Sequence, residues 1–527
     1  MAILVSNIRV SSENYEAEAV SKAMALCSLS KDEIKYSGIY KLSKDARHKQ
    51  MSLVASVMLS LKSSKAEEKI SSALDFVRLI KEENEEIAIG KKPIPNRPVV
   101  VGFGPAGMFC ALYLASLGYR PIVIERGDCV ENRVKITESF WNGGSFSAET
   151  NVQFGEGGAG TFSDGKLTTR INDPLCRKVL SIFVENGAPE SILKIAKPHI
   201  GSDNLRSIVK NIREKIIAAG GEVSFCEKLL DIERSSSSLI LKTSKRVIES
   251  SCVVLALGHS ARDTFSMLRN KGIAMESKPF SVGVRIEHTQ KELNKSMYGE
   301  AYNEKLFGQA EYQLSLREND KAVYSFCMCP GGVVVPSASE DETIVTNGMS
   351  FYKRDLENAN SAIVVSVDKK DFGDDVFGGI HFQRELEKRA FIMAGRSYKA
   401  PAQTVGGYLD GKISSFGGIT PSYYRGVEPC DLNELFPSSI NSMLHRGLRY
   451  FGSKISCFKN KDAVLTGVEA RTSCPIRITR DPESRKSIAE PRLYPCGEGA
   501  GYAGGIMSAA VDGINTALAI IKEYAPK

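Results

Sequence analysis

The sequence predicts an α/β protein built on a parallel sheet, with a mixed α+β cap inserted into it and a small α+β domain in front. Three stretches predict this. Val99, Val100 and Val101 form a β-branched run, followed by Gly102, Gly104 and Gly107 in G-x-G-x-x-G spacing and an apolar helix from Pro105. A second glycine-rich stretch, Gly143–Arg170, has no helix periodicity but carries Val152, Phe154, Phe162 and Leu167. The third is the C-terminal strand Leu493–Cys496, the loop from Gly497 to Gly505 and the helix Ile506–Lys522.

At 527 residues the chain is too long for one compact core. The expected domains are 1–95, a small α+β unit; 96–275, the first part of a dinucleotide-binding domain; 276–463, a substrate-binding cap; and 464–527, the return to the dinucleotide-binding domain. Hydrophobic residues make up 42% and charged residues 25%, an ordinary soluble composition. The net charge of +7 is a small excess on 69 basic and 62 acidic side chains. Met1–Pro95 carries 15 basic and 13 acidic residues, so the excess is not gathered at the front. No basic patch or interleaved aromatic array argues for nucleic acid. No apolar run approaches the roughly 20 residues a membrane span needs. The N-terminus lacks the basic region of a secretory signal. Twelve scattered cysteines without a C-x-x-C read as reduced thiols in a cytoplasmic protein, and no metal site is expected.

In the first domain, Ile3–Val10, Glu33–Leu42 and Met51–Leu61 read as strands. Tyr15–Leu29 reads as a helix with Ala17, Val20, Met24 and Cys27 on its apolar face, and Ala66–Ile80 as a second helix. Lys81–Lys92, Pro93, Pro95 and Pro98 form a linker. This unit carries no chemistry and reads as a structural cap, with a docking module of unknown partner as the alternative. Glu131–Trp141 is helical. Ser202 is an N-cap for the helix Asn204–Ala219. Leu229–Glu233, Leu239–Thr243 and Arg246–Glu249 form a meander, and Val253–Leu257 is a buried strand closing on Gly258. From Glu276 the texture becomes largely antiparallel, through Ser281–His288, Ala322–Met328, Gly332–Pro336 and Thr343–Ser350, with helices such as Gln383–Ala394.

Each residue of Pro98–Arg126 has a physical task. Gly102 permits the strand-to-helix turn, Gly104 lets main chain approach a pyrophosphate, and Gly107 lets helix and strand pack closely. Pro105 and Ala106 open a helix whose free N–H groups and positive dipole end suit phosphates. Glu125 ends the second strand 23 residues past Gly102, as an acid accepting from a ribose hydroxyl would. The Rossmann-like pattern is complete here. At the C-terminus no strand follows Ile506–Lys522, so that passage is a second anion or dipole site and not a second dinucleotide fold.

In that order, the fingerprint with Glu125, the strand ending at Gly258 and the Cys496–Gly505 loop with its helix resemble flavoproteins of the glutathione-reductase-like FAD superfamily. The chain is closer still to a subgroup of uncharacterised FAD-dependent, NAD/FAD-utilising dehydrogenases. Asn151–Leu167, Lys197–Leu205, Cys329–Glu340 and Glu469–Ile478 carry that likeness. The resemblance implies that Gly102, Gly104, Pro105, Ala106 and Gly107 hold the pyrophosphate of a non-covalent FAD. Glu125 and Arg126 would lie at the adenosine ribose. Gly157, Gly158, Ala159, Thr161, Ser163, Asp164, Gly165 and Lys166 would lie against the isoalloxazine or pyrophosphate, with Gly258 beside them. Gly497 and Glu498 would meet the ribityl chain, where the superfamily usually has Gly-Asp. Gly504, Gly505 and Ile506 would aim a helix dipole at the flavin's pyrimidine end.

The activity implied is an FAD-dependent oxidoreductase moving hydride or electrons between flavin and an unknown small molecule, with NAD(P)H as a transient donor entering by the shared cleft. The alternative is a scaffold or sensor with structural FAD whose N-terminal domain recruits a partner. Lys166 and His199 are candidates for the chemistry: a cation near the flavin and a proton donor, against a solvated lysine and a histidine bonded to loop backbone. Cys327 and Cys329 share a strand face, but a bridge across a regular strand is strained, which favours buried thiols. Arg471, Arg477 and Arg480 either clamp an acidic substrate or pair with Asp481 and Glu483. Trp141 reads as core rather than a flavin neighbour.

Overall fold

The computed structural model describes residues 1–45, 51–80, 87–300 and 302–527. The linker expected at Lys81–Lys92 falls partly outside them, at 81–86.

The N-terminal unit is a four-stranded antiparallel sheet ordered Ile34–Asp45, Ser52–Leu61, Ala2–Val10, Val77–Ile80, covered by helices Tyr15–Leu26 and Ser64–Ala73. One expectation fails here, and another holds for Val20, Met24 and Cys27, which pack in the unit's core, but not for Ala17. Ala66–Ile80 is not one helix: it ends at Ala73, and Val77–Ile80 pairs with Ala2–Val5, because its β-branched and aliphatic residues complete an open sheet edge. The first helix buries Ala19, Ala23 and Cys27 while Ala17 is exposed, so the small residues set the contact face.

The central sheet is parallel. We number its strands β1 (Val99–Val101), β2 (Ile122–Ile124), β3 (Glu222–Ser224), β4 (Val253–Leu255) and β5 (Leu493–Pro495); the order is β5-β4-β1-β2-β3. Every β1, β4 and β5 side chain is buried, as the continuous apolar runs require. Helices α1 (Pro105–Ser116), α2 (Ser202–Ala218) and α3 (Ile506–Glu523) share one apolar core on one face. The meander Leu229–Ser250 and the helix Arg262–Asn270 share a second core with the other face. Helix α2 begins at Ser202 itself, after Gly201 at φ 80°, and the buried Ser202 hydroxyl caps nothing.

The cap is a seven-stranded sheet ordered Ser315–Glu318, Lys321–Cys329, Asn358–Val367, Phe280–Thr289, Val464–Glu469, Ala400–Thr404, Val427–Pro429. The boundary expected at 463/464 is therefore displaced. Val464–Glu469 is fully buried in the cap's sheet, paired with Phe280–Thr289, and the chain returns to the parallel sheet only afterwards.

The N-terminal unit is fastened to both others. Its edge residue Leu42 exchanges backbone bonds with Lys194 at 2.7 Å and Ala196 at 2.8 Å, and the cap's Phe307 is buried in the unit's apolar core.

Candidate functional site

Parallel strands bring the starts of α1 and α3 to one end of the sheet. Gly104 and Gly505 are their N-caps, and neither start has a side-chain cap. The first turn of α1 packs against α3 two turns past its start, where a Cβ on Gly513 would lie 2.1 Å from the Ala106 carbonyl, and against the loop before α3, where one on Gly497 would lie 2.6 Å from Ala106 Cβ. Both starts lie at the same end of the sheet and present first-turn amides without a side-chain cap.

A single turn of main chain, Gly158–Phe162, joins the two starts. The Gly157 amide donates to the Phe103 carbonyl at 2.8 Å. A Cβ on Gly158 would lie 3.0 Å from Gly104 Cα, and one on Gly160 3.0 Å from Ile506 Cγ1. Ala159 sits between them, half-buried. Thr161 and Ser163 hydroxyls donate to the loop's own carbonyls, at Glu156 (3.2 Å) and Gly160 (2.7 Å). Arg133 folds the preceding segment. Its buried guanidinium donates to the carbonyls of Asn151, Val152, Gly155 and Glu156 at 2.6–3.2 Å. Sequence reasoning missed Arg133, because nothing in a helical arginine announces that it caps a loop twenty residues on.

Glu125 is buried, and its carboxylate accepts from the amides of Phe103 (2.8 Å), Gly127 (3.0 Å) and Gly155 (2.9 Å). It ties the two glycine loops together, whatever else it accepts. Arg126 pairs with Glu149 at 2.7 Å and Asp263 at 2.9 Å and lies over Phe154.

Asp164, Lys166 and His199 form one cluster. Lys166 and His199 are bridge partners across two loops. Asp164 pairs with Arg354 of the cap, its Nε at 2.9 Å. Burial opposes that carboxyl's ionisation, but Arg354, Lys166 and His199 outweigh it and hold it below its ordinary range. Lys166 Nζ donates to the Met328 carbonyl, with Glu311 at 3.9 Å. His199 Nε2 meets the Tyr352 carbonyl at 2.9 Å and stacks on that ring, the loop-backbone role set against catalysis. Burial, then Arg354, pushes its pKa down. Gly165 lies at φ 68°, where a Cβ would strike the Gly201 amide at 2.8 Å.

At the other side Gly258, Gly504 and Gly505 are exposed, with nothing within 4 Å of an added Cβ. Glu498 lies beside them. Burial pushes its carboxyl up to about 7 against the opposing Gly505 amide and Lys278. Asp512 of α3 accepts from the Gly497 amide at 2.8 Å and from Arg480 and Arg485, fixing where this loop begins.

None of the three arginines pairs with Asp481 or Glu483. Arg471 pairs with Glu387 at 2.7 Å, Arg477 with Glu276 at 2.9 Å and Arg480 with Asp512 at 2.7 Å. Arg262 shares Glu387, making a buried Arg–Glu–Arg group between parallel sheet and cap. Trp141 is buried against Phe162 and Tyr424 and donates to the Pro336 carbonyl. A cleft of about 220 Å³ lies on the opposite face, between Ile232, Leu239, Leu268, Ile273 and Leu493, and no predicted site residue lines it.

Uncapped helix starts, a main-chain turn between them and open glycines beside a neutralisable acid fit an extended dinucleotide with an electron-accepting ring. Residues 279–472 match the family described as FAD-dependent protein, C-terminal domain-like. The matched residues are those of the cap. The chain belongs to the same family as an uncharacterised protein of Clostridium beijerinckii (strain ATCC 51743 / NCIMB 8052), 45% identical over 531 residues that span 99% of each. Among solved structures, CtdE in complex with FAD is 13% identical, covering 81% of this chain and 84% of its own, with a TM-score of 0.33. Glycine oxidase from Geobacillus kaustophilus is 10% identical, covering 81% and 93%, with a TM-score of 0.34. At those scores the likeness is slight. Among the described residues no helix is long and apolar enough to cross a membrane.

Proposed function

We propose that this chain is an FAD-dependent oxidoreductase of the dehydrogenase type, within the glutathione-reductase-like superfamily, acting in the cytoplasm on a small molecule held between the parallel sheet and the cap. The observation that carries the reading is that one main-chain turn, Gly158–Phe162, touches both helix starts, with space left open at Gly258, Gly504 and Gly505. FAD, when bound, supplies the two-electron chemistry. Gly102, Gly104, Ala106 and Gly107 would hold its diphosphate, and the α3 start would favour negative charge on the ring. Glu125, already accepting three amides, retains lone-pair capacity for a ribose hydroxyl. Lys166 places a fixed cation at the cap side of the same space, and Glu498 can hold a proton near neutral pH.

The test is to purify the full chain, load it with FAD and mix it anaerobically with NADH and then NADPH. The expected result is stoichiometric flavin absorbance and bleaching by one nicotinamide. A chain that retains no flavin overturns the reading. Bound flavin inert to both donors and to a substrate screen leaves a structural cofactor and favours the scaffold.

A further inference from the structure

Cys327 and Cys329 close the strand Lys321–Cys329 of the cap. In a regular strand their sulfurs would be held apart. This stretch is not regular. The pairing with Asn358–Val367 shifts register between Phe326 and Cys329, and Cys327 lies at φ 44°, the left-handed region that a side-chain-bearing residue seldom adopts. The bulge turns Cys329 back on its neighbour. Its thiol donates to the Cys327 carbonyl at 3.4 Å, which folds the Cys329 side chain back along Cys327. The strain argument against a bridge, which assumed a flat strand, therefore does not apply.

The surroundings suit a thiolate. Fully buried Arg285 donates to the Cys327 carbonyl at 2.9 Å and to Asn360 Oδ1 at 3.0 Å, while pairing with Glu469 at 2.9 Å. Lys166 of the glycine loop donates to the carbonyl of Met328, between the two cysteines. The neighbouring Cys329 side chain, then Arg285 and Lys166, holds the Cys327 thiol below its ordinary range; burial and Glu469 act the other way. Lys166 thereby ties the bulge to the glycine loop whose turn touches both helix starts. Cys327 is half-buried and Cys329 fully buried, its sulfur in space that Gly348 leaves open: a Cβ there would lie 2.8 Å from it.

We infer that Cys327 and Cys329 form a redox-active dithiol that reduces a small disulfide at the flavin site, an inference that rests on the flavin reading above. Cys327 thiolate attacks one sulfur of the disulfide. The S–S bond breaks, and the departing thiolate takes a proton from solvent. Cys329, losing its proton, attacks the mixed disulfide at Cys327, forming the 327–329 bridge and releasing the second thiol. Two protein thiols lose two electrons and two protons; the substrate gains them. The class of reductant that restores the pair is a reduced flavin.

The test uses the full chain as purified, with flavin content read from absorbance on the same preparation. Iodoacetamide at pH 7 followed by peptide mapping is expected to label Cys327 at least about tenfold faster than exposed Cys226. Glutathione disulfide is expected to produce the 327–329 bridge in the unmodified chain and a lasting glutathione adduct on Cys327 in Cys329→Ser. Labelling of Cys327 no faster than Cys226, with no bridge in the unmodified chain, overturns the inference, and that comparison needs no variant. If flavin binds and the thiols are inert, this inference falls alone. If the bridge forms and no flavin binds, the dithiol stands and the flavin reading falls.

Discussion

In the strand–glycine–helix passage at 98–126, the glycines are pressed against other main chain. A Cβ on Gly102 would lie 2.3 Å from the Ala256 carbonyl, one on Gly107 2.0 Å from the Gly102 carbonyl, and Gly104 has Gly158 against it. In the passage at 493–523, Gly504 and Gly505 face open space, while Gly497 and Gly513 are packed on Ala106, Gly499 on Gly258 and Gly501 on Ile476. The two loops look alike in sequence. The first uses missing side chains mainly to bring strand, helix and second loop together. The second leaves the space beside the helix start open. A glycine pattern thus reports close approach, and only the structure says whether the approaching partner is protein.

The comparison is broken most severely at Gly107. Alanine there puts a methyl group inside van der Waals contact of a backbone carbonyl that cannot move without unseating β1. Gly107→Ala is expected to cost about 3 kcal/mol or more and to abolish soluble expression or lower the thermal midpoint sharply. A folded Gly107→Ala chain that merely loses flavin would mean the first loop is shaped for the ligand after all.

A smaller effect separates the loops by charge. Glu125, at the first, accepts from three amides, whereas Glu498, at the second, is pushed up to about 7 from 4.5, by burial first. Between those two pH values the unfolded chain releases a proton that the folded chain keeps. Stability from this carboxyl is therefore complete below about 4.5, falls as pH rises, and levels off above about 7. Part of the side chain stays accessible, so the loss is about 1–2 kcal/mol rather than the full value. Chemical denaturation of the parent and Glu498→Gln from pH 4.5 to 8 measures it. The difference between them should move in the variant's favour as pH rises, and a flat difference would place Glu498 in water.

What was legible from sequence follows from how local each signal is. The β1–α1–β2 passage, the meander and α3 were readable because hydrophobic periodicity and glycine spacing act within a few residues. Val464–Glu469 was misplaced because a short apolar run does not say which sheet it joins; its partner lies nearly two hundred residues earlier. Val77–Ile80 was absorbed into a helix because its edge position depends on a strand at the chain's start. At the site, the glycines and Glu125 were legible. Arg133, Arg354, Asp512 and the Arg262–Glu387–Arg471 group were not, since each acts on partners brought near only by tertiary folding.

The finest separation is at Gly504. It is exposed, an added Cβ meets nothing within 4 Å, and its φ is not in the left-handed region, unlike Gly505 at φ 85°. Alanine should therefore leave the folded chain within about 0.5 kcal/mol of the parent, since neither strain nor collision is introduced. The same methyl group would occupy space beside the α3 start where the ring of a bound flavin is proposed to lie. FAD titrated into Gly504→Ala is expected to bind at least about tenfold more weakly, about 1.4 kcal/mol, while the denaturation midpoint of the flavin-free chain is unchanged. Loss of stability without loss of affinity would make the second loop a packing device like the first and remove the distinction between them.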